Sequence, residues 1–207
     1  MTVIKESSDE LNPPVIEADA AIIAPARGRR SALDYIALMI ATCGVGYLPL
    51  APGTWGSALG VLLYLVFQEG SLIVYTLMHR RGFDPLELHL LRTNVLILMA
   101  GLITLAGIWA ATRTESIVRR KDPGIVVVDE VAGQLIAYAL VPAHESLWIT
   151  LAGFILFRLF DIWKPYPIRR MEALESGLGI MADDVLAGIY AALVLGMLWL
   201  AASLYGF

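Results

Sequence analysis

The chain has 207 residues, is 58% hydrophobic and only 16% charged, and has a mean hydropathy of +0.70. Soluble domains average about 45–50% apolar and about 25% charged residues, so this composition excludes a disordered chain and argues against an ordinary soluble enzyme. The net charge of −4 offers no basic surface to a nucleic acid, and it sits in residues 1–26, where five acids face Lys5; the other 181 residues balance at 14 basic and 14 acidic.

Residues 1–30 read as a flexible acidic tail, containing Pro and lacking the basic-then-apolar order of a secretory signal. Residues 31–207 read as one membrane-embedded domain. Tyr35–Pro52 is apolar but broken in its second half by Gly44, Gly46, Pro49 and Pro52, which predicts an interfacial or re-entrant helix followed by a tight loop. Ser57–Met78 is an apolar span interrupted by Gln68-Glu69-Gly70, and a polar connection over Met78–Thr93 follows. Asn94–Ala111 carries no charge over 18 residues and Val185–Phe207 none over 23, so these are the clearest spans. Between them lie Ile125–Pro142, apolar except for Asp129, Glu130 and Gln134, and Leu147–Trp163, apolar except for Arg158 and Asp161. The runs are long and lack alternation, so the expectation is all-α: a polytopic membrane helical bundle of about five transmembrane helices plus one interfacial or re-entrant helix. The single cysteine, Cys43, excludes an internal disulfide and a cysteine-based zinc site, and the three histidines fall in polar connections.

Loop charges set the expected orientation. Arg27, Arg29 and Arg30, the Arg113–Gly124 connection with four basic residues, and the Lys164–Asp184 connection with Lys164, Arg169 and Arg170 face the cytoplasm; the short turn Ala143–Ser146, without Lys or Arg, faces out. The Met78–Thr93 connection conflicts with this, because it would lie outside with Arg80, Arg81 and Arg92.

Ionisable groups inside spans cost roughly 2.5–3.5 kcal/mol each at a helix centre and mark functional sites by default. Asp129 and Glu130 open one span. Arg158, Asp161 and Lys164 are spaced i, i+3, i+6 near the end of the next, on one helical stripe. Asp183 and Asp184 stand where the last span begins. Singly, each has a plain structural explanation, as an ion pair, a helix cap or a polar interface. Together, at one depth, the carboxylates would repel one another unless a hard divalent cation with oxygen ligands neutralises them. Mg²⁺ suits that donor set better than Zn²⁺. In Pro52-Gly53-Thr54-Trp55-Gly56-Ser57, Pro52 and Gly53 make a turn, Thr54 is placed to cap the next helix and Gly56 to leave its first-turn backbone bare. That arrangement suits a phosphate, though a plain capped turn has the same sequence. Lys164, Arg169 and Arg170 stand at headgroup level beside Pro165 and Pro167, placed either for anchoring or for a phosphate headgroup. Acids for a metal, cations for a phosphate and an anion-binding turn point to phosphate-ester chemistry on a lipid.

Four ordered segments carry a resemblance. They are Gly44-Val45-Gly46-Tyr47-Leu48-Pro49 with Ala51-Pro52-Gly53-Thr54-Trp55-Gly56-Ser57; Val127-Val128-Asp129-Glu130-Val131-Ala132-Gly133-Gln134; Phe157-Arg158-Leu159-Phe160-Asp161-Ile162-Trp163-Lys164-Pro165-Tyr166-Pro167-Ile168; and Gly177-Leu178-Gly179-Ile180-Met181-Ala182-Asp183-Asp184-Val185-Leu186-Ala187-Gly188. The chain from about Leu33 onward resembles the phosphatidylglycerophosphatase A family. The resemblance implies a Mg²⁺-dependent integral-membrane phosphatase of the bacterial inner membrane that converts phosphatidylglycerophosphate to phosphatidylglycerol. Its partner is a phospholipid in the membrane, and no nucleic acid is involved. The acidic tail and the polar segment around His79–Arg92 fall outside the motifs.

The expected roles follow. Asp129, Glu130, Asp161, Asp183 and Asp184 supply the metal site. Arg158 and Lys164 neutralise phosphate oxygens. Gly53, Thr54 and Ser57 hold the terminal phosphate, Arg169 and Arg170 the uncleaved one, and Asp129 or Glu130 positions the attacking water. No Cys-x5-Arg loop, Asp-x-Asp-x-Thr motif or paired catalytic histidine is present, which leaves water attack or a phospho-aspartyl enzyme. A CDP-alcohol phosphotransferase would need an Asp-Gly-x2-Ala-Arg run, which is absent. An ion-coupled transporter using the same intramembrane acids is the alternative from another class; it predicts an internal repeat, which the sequence lacks.

Overall fold

The computed structural model describes residues 30–142, 146–171 and 173–205. The predicted tail, Arg30 apart, lies outside the described residues, as does His144. The described residues form seven helices and no strand: α1 (Ala32–Thr42), α2 (Pro52–His79), α3 (Pro85–Val118), α4 (Val128–Ala137), α5 (Leu147–Trp163), α6 (Ile168–Met171) and α7 (Ser176–Tyr205), with one 3-10 turn at Val45–Tyr47 between α1 and α2. The all-helical expectation holds.

Three helices are long and apolar enough to cross a bilayer: α2 with 28 residues, α3 with 34 and α7 with 30. Helix α5, at 17 residues, sits at the lower limit. Helix α4 does not span. Its 10 residues cover about 15 Å, half of a hydrocarbon core of about 30 Å. The predicted span Ile125–Pro142 is therefore a short helix between two non-helical flanks. On the entry side the Val127 N–H donates to Ala41 O at the end of α1 (2.8 Å). On the exit side the chain tightens into turn hydrogen bonds, Tyr138 N to Leu135 O and Ala139 N to Ile136 O, before Pro142. Non-helical backbone at membrane depth survives only when protein covers it. That holds here: from Val126 to Ala139 every residue is buried except the half-buried Glu130 and Ile136.

Helix α4 is the axis of the bundle, with α1, α2, α3, α5 and α7 packed around it. Small residues make the close approaches. Gly53, Gly56 and Gly60 form one face of α2 laid on α4, where a Cβ at Gly56 would press on Val127 and one at Gly60 on Gln134. Gly56 thus admits a neighbouring helix and does not bare its first turn to a ligand. Gly133 of α4 and Gly188 of α7 bring those two backbones together, as small residues do between membrane helices. Farther along, Tyr64 and Tyr138 stack with ring centroids 4.0 Å apart, and the Tyr138 hydroxyl donates to Thr150 O (2.7 Å), tying α2, α4 and α5. The outward faces carry exposed Leu62, Val66, Ile73, Leu98, Leu102, Leu105, Leu193 and Leu200, an apolar surface suited to lipid.

Two further expectations are corrected. The polar connection over Met78–Thr93 shrinks to 80–84, because Pro85 opens α3 with the Asp84 carboxylate accepting the Leu86 N–H (2.7 Å) as its cap. His79 thus ends α2 and His89 lies within α3. Arg92 is buried, donating to Val141 O (3.0 Å) and to the Tyr64 hydroxyl (3.2 Å), so it braces the bundle and is no loop charge. The last helix begins at Ser176, so Asp183 and Asp184 lie two turns inside it, at neither the start nor a cap.

Candidate active site

The start of α2, the turn before α4, the first turn of α4, the end of α5 and the second turn of α7 meet at one end of the bundle. They enclose a cavity of about 670 Å³ lined by Asp129, Glu130, Arg158, Asp161, Lys164, Asp183 and Asp184, with Gly53, Lys121 and Asp122 among the other walls. Two hollows of similar size elsewhere are walled mainly by apolar side chains, one between α2 and α3 and one between α3, α4 and α7.

Local chain geometry explains each placement. Asp129 and Glu130 fall in the first turn of α4, where the unpaired N–H groups and the helix dipole favour negative charge. Arg158 and Asp161, one turn apart on α5, form an ion pair of 2.6 Å, and the Arg158 Nη1 also reaches the buried Ser57 Oγ at 3.4 Å. Lys164 caps α5 in the left-handed conformation (φ 46°) and turns back so that Nζ meets Asp183 Oδ2 at 2.7 Å. Two carboxylates are thereby matched to cations.

The other three are not. One oxygen from each of Asp129, Glu130 and Asp184 lies within 4.8 Å of the others. Asp129 Oδ1 and Glu130 Oε2 are buried without a hydrogen-bond partner. Asp129 and Asp184 are both buried, with 9% and 3% exposure. Converging carboxylate oxygens left partnerless at this depth fit a hard cation such as a divalent metal ion.

The remaining sequence-predicted residues are placed differently. Ser57 is fully buried; its hydroxyl donates to Gly53 O (2.9 Å), so it anchors Arg158 from behind the cavity wall. Gly53 lines the cavity against Glu130. Thr54 is exposed in the third position of α2 and caps nothing, because the residue before the helix is Ala51 at φ 51°. Arg169 and Arg170 are exposed on α6; Arg170 lies over the Tyr166 ring at 4.8 Å, and neither lines the cavity. The sequence reading missed Lys121, Asp122 and Ser176, which do line it. For Lys121 and Asp122 the only signal was a basic connection running directly into the Asp129-Glu130 motif; Ser176 carried none.

Helices long and apolar enough to cross a membrane, around a polar cavity where carboxylates converge, define the class: a membrane-helix protein with a candidate active site at one end of its bundle. The family model for phosphatidylglycerophosphatase A matches residues 38–199. Relatives agree over most of their length. A Haemophilus influenzae protein named phosphatidylglycerophosphatase A is 38% identical over 165 residues, 79% of this chain and 88% of its own. The Escherichia coli protein of the same name is 31% identical over 153 residues, 73% of this chain and 76% of its own. A Bacteroides thetaiotaomicron protein bearing the name "Putative phosphatidylinositol-3-phosphatase" is 38% identical over 166 residues, 79% of this chain and 94% of its own. No solved structure matches the chain. The chain belongs to the phosphatidylglycerophosphatase A family and is a phosphatase. Nothing in these comparisons supports the transporter alternative.

Proposed function

We propose that this protein hydrolyses phosphatidylglycerophosphate to phosphatidylglycerol and phosphate, with Mg²⁺, at the cytoplasmic face of a bacterial inner membrane. The observation that carries the reading is the convergence of Asp129, Glu130 and Asp184 at one end of the helical bundle, with Asp129 Oδ1 and Glu130 Oε2 buried and without a hydrogen-bond partner. These three would hold the ion, with Asp161 and Asp183 beside them. Bound there, Mg²⁺ supplies Lewis-acid polarisation of the phosphoryl oxygens and lowers the pKa of water.

The chain's own groups do the rest. Arg158, fixed by Asp161 and Ser57, presents its guanidinium beside Glu130 and the start of α2, where it offsets charge on the transferred phosphoryl group. Lys164, fixed by Asp183, adds a second positive charge at the wall. One carboxylate of Asp129 or Glu130 orients the attacking water and takes its proton. The acyl chains stay in the bilayer while the headgroup enters the cavity.

The test is phosphate release in detergent micelles, with Mg²⁺ and then with excess EDTA, from wild type and Asp129→Asn. Release that needs Mg²⁺ and is lost in the variant supports the reading. The Bacteroides relative's name supplies a second substrate to run alongside, phosphatidylinositol 3-phosphate. Faster turnover of that lipid than of phosphatidylglycerophosphate would reassign the substrate and keep the site.

A further inference from the structure

The cavity's charges are unevenly committed. Three cations line it: Lys121, Arg158 and Lys164. Arg158 is held by Asp161 at 2.6 Å and Lys164 by Asp183 at 2.7 Å. Lys121 has no hydrogen bond or ion pair among the described residues, and it is exposed at the mouth. Its backbone is nonetheless fixed. The turn between α3 and α4 is tied down where the Asp122 N–H donates to Glu115 Oε1 (2.9 Å), and Arg119 closes α3 with its N–H on Glu115 O (2.7 Å). A second, outer groove of about 420 Å³ shares Lys121 and Ser176 with the cavity and adds Arg119 and Arg120. Lys121 therefore stands at the border between the acidic interior and a rim of mixed charge, where Arg119 and Arg120 stand beside Glu115 and Glu175.

A lipid that brings a phosphomonoester to the carboxylate cluster also brings a phosphodiester, which stays nearer its acyl chains. Arg158 and Lys164 are already engaged at the inner wall. The sequence-based candidates for the diester, Arg169 and Arg170, do not line the cavity. We infer that Lys121 is a specificity-determining residue that binds the uncleaved phosphodiester of a two-phosphate lipid, while the phosphomonoester occupies the interior. An ammonium with three free donors on a long stem suits a diester held at the rim. The inference rests on the proposed reaction.

The experiment measures KM and kcat for phosphatidylglycerophosphate in mixed micelles for wild type, Lys121→Ala and Lys121→Arg. Arg81→Ala, at the far end of the bundle, is the control for loss of one positive charge. Inhibition constants for phosphatidylglycerol and for inorganic phosphate are measured on the same proteins. Lys121→Ala should raise KM about tenfold with kcat within about twofold, as the loss of one charge-assisted contact made equally in ground and transition states. The inhibition constant of phosphatidylglycerol should rise with it and that of phosphate stay put. Lys121→Arg should restore most of the loss. An unchanged KM in Lys121→Ala overturns the inference. So does a phosphate inhibition constant that rises alongside KM, which would place Lys121 on the transferred group. If the wild type releases no phosphate from this lipid, the proposed reaction itself fails, a result distinct from either.

Discussion

Gly53→Ala separates the site from the scaffold. Gly53 is the second residue of α2, and a Cβ there would overlap Glu130 Oε1 and lie 3.2 Å from Arg158 Nη1. Both obstacles are the far ends of side chains, so the backbone need not move. Restoring ordinary contact displaces the Glu130 carboxylate by roughly 1 Å. A displacement of that size at a reacting group costs about a hundredfold in rate, or about 2.7 kcal/mol of barrier. Stability should hold or rise slightly, because Ala is the better helix former by roughly 0.5–1 kcal/mol. Gly188→Ala is the counterpart. Its Cβ would overlap the Gly133 carbonyl oxygen and stand 3.0 Å from the Gly133 carbonyl carbon and Cα, all backbone. Helices α4 and α7 must then separate, at an overpacking cost of about 1–3 kcal/mol. In a chain of this size that lowers the unfolding midpoint by about 2–4 °C per kcal/mol. The assay pairs initial rates of phosphate release with thermal unfolding in the same detergent. Gly53→Ala should lose rate and keep its midpoint, and Gly188→Ala should lose its midpoint. Full activity in Gly53→Ala, or equal destabilisation of both variants, would refute the account of how α2 shapes the site.

Asp184→Asn should cut turnover by at least about a hundredfold, since even groups supporting a metal's ligands cost about 10–100-fold. Its unfolding midpoint without metal should not fall, because one of three clustered negative charges is gone; a lower midpoint would show that Asp184 is structural. Mg²⁺ should raise the wild-type midpoint by mass action, through a stabilisation of about 2.7 kcal/mol at a hundred times Kd. No rise, or an equal rise in Asp184→Asn, would remove the metal from this cluster. Arg92→Met should destabilise by roughly 1–3 kcal/mol, through loss of two buried hydrogen bonds, one to Tyr64 on α2 and one to the backbone at Val141 after α4. Its specific activity should be unchanged once folded, since Arg92 does not line the site; a selective loss of rate would show that the two ends of the bundle are coupled.

The sequence makes the chemistry more legible than the architecture, for a physical reason. Charges stand out against an apolar background, so Asp129, Glu130, Arg158, Asp161, Lys164, Asp183 and Asp184 are visible one by one, and all of them line one cavity. Hydropathy reports only that a segment is shielded from water, not what shields it. Ile125–Pro142 reads as a span because it is apolar; it is a ten-residue helix because neighbouring helices take the place of lipid around it. The same blindness hides the glycine face of α2. Gly53, Gly56 and Gly60 look like punctuation in a loop-to-helix transition, and only the third dimension shows α4 lying against them. Arg92 misleads in the opposite sense: its charge suggests a loop, while Val141 O and the Tyr64 hydroxyl hold it inside.

The short α4 also explains how this fold tolerates so much negative charge. A helix crossing the whole membrane would place its first turn at the surface, where water screens carboxylates. Helix α4 starts inside the bundle, so the N–H groups of its first turn and its dipole act on Asp129 and Glu130 where screening is weak. Asp184, two turns into α7, reaches the same level from the opposite wall. The two remaining carboxylates are matched to the cations Arg158 and Lys164, both supplied by the end of α5. What stays without a cation of its own is three converging carboxylates, a group able to bind a metal ion. A chain with the same net composition but α4 extended by two turns would carry Asp129 and Glu130 out of reach of Asp184. Inserting a helical turn of alanines between Glu130 and Val131 approximates that change, because residues 131–137 keep their packing while the two acids shift by about 5.4 Å along the helix. It should abolish Mg²⁺-dependent stabilisation even where the bundle still folds, and retention of that stabilisation would show that the depth of α4 is incidental to the site.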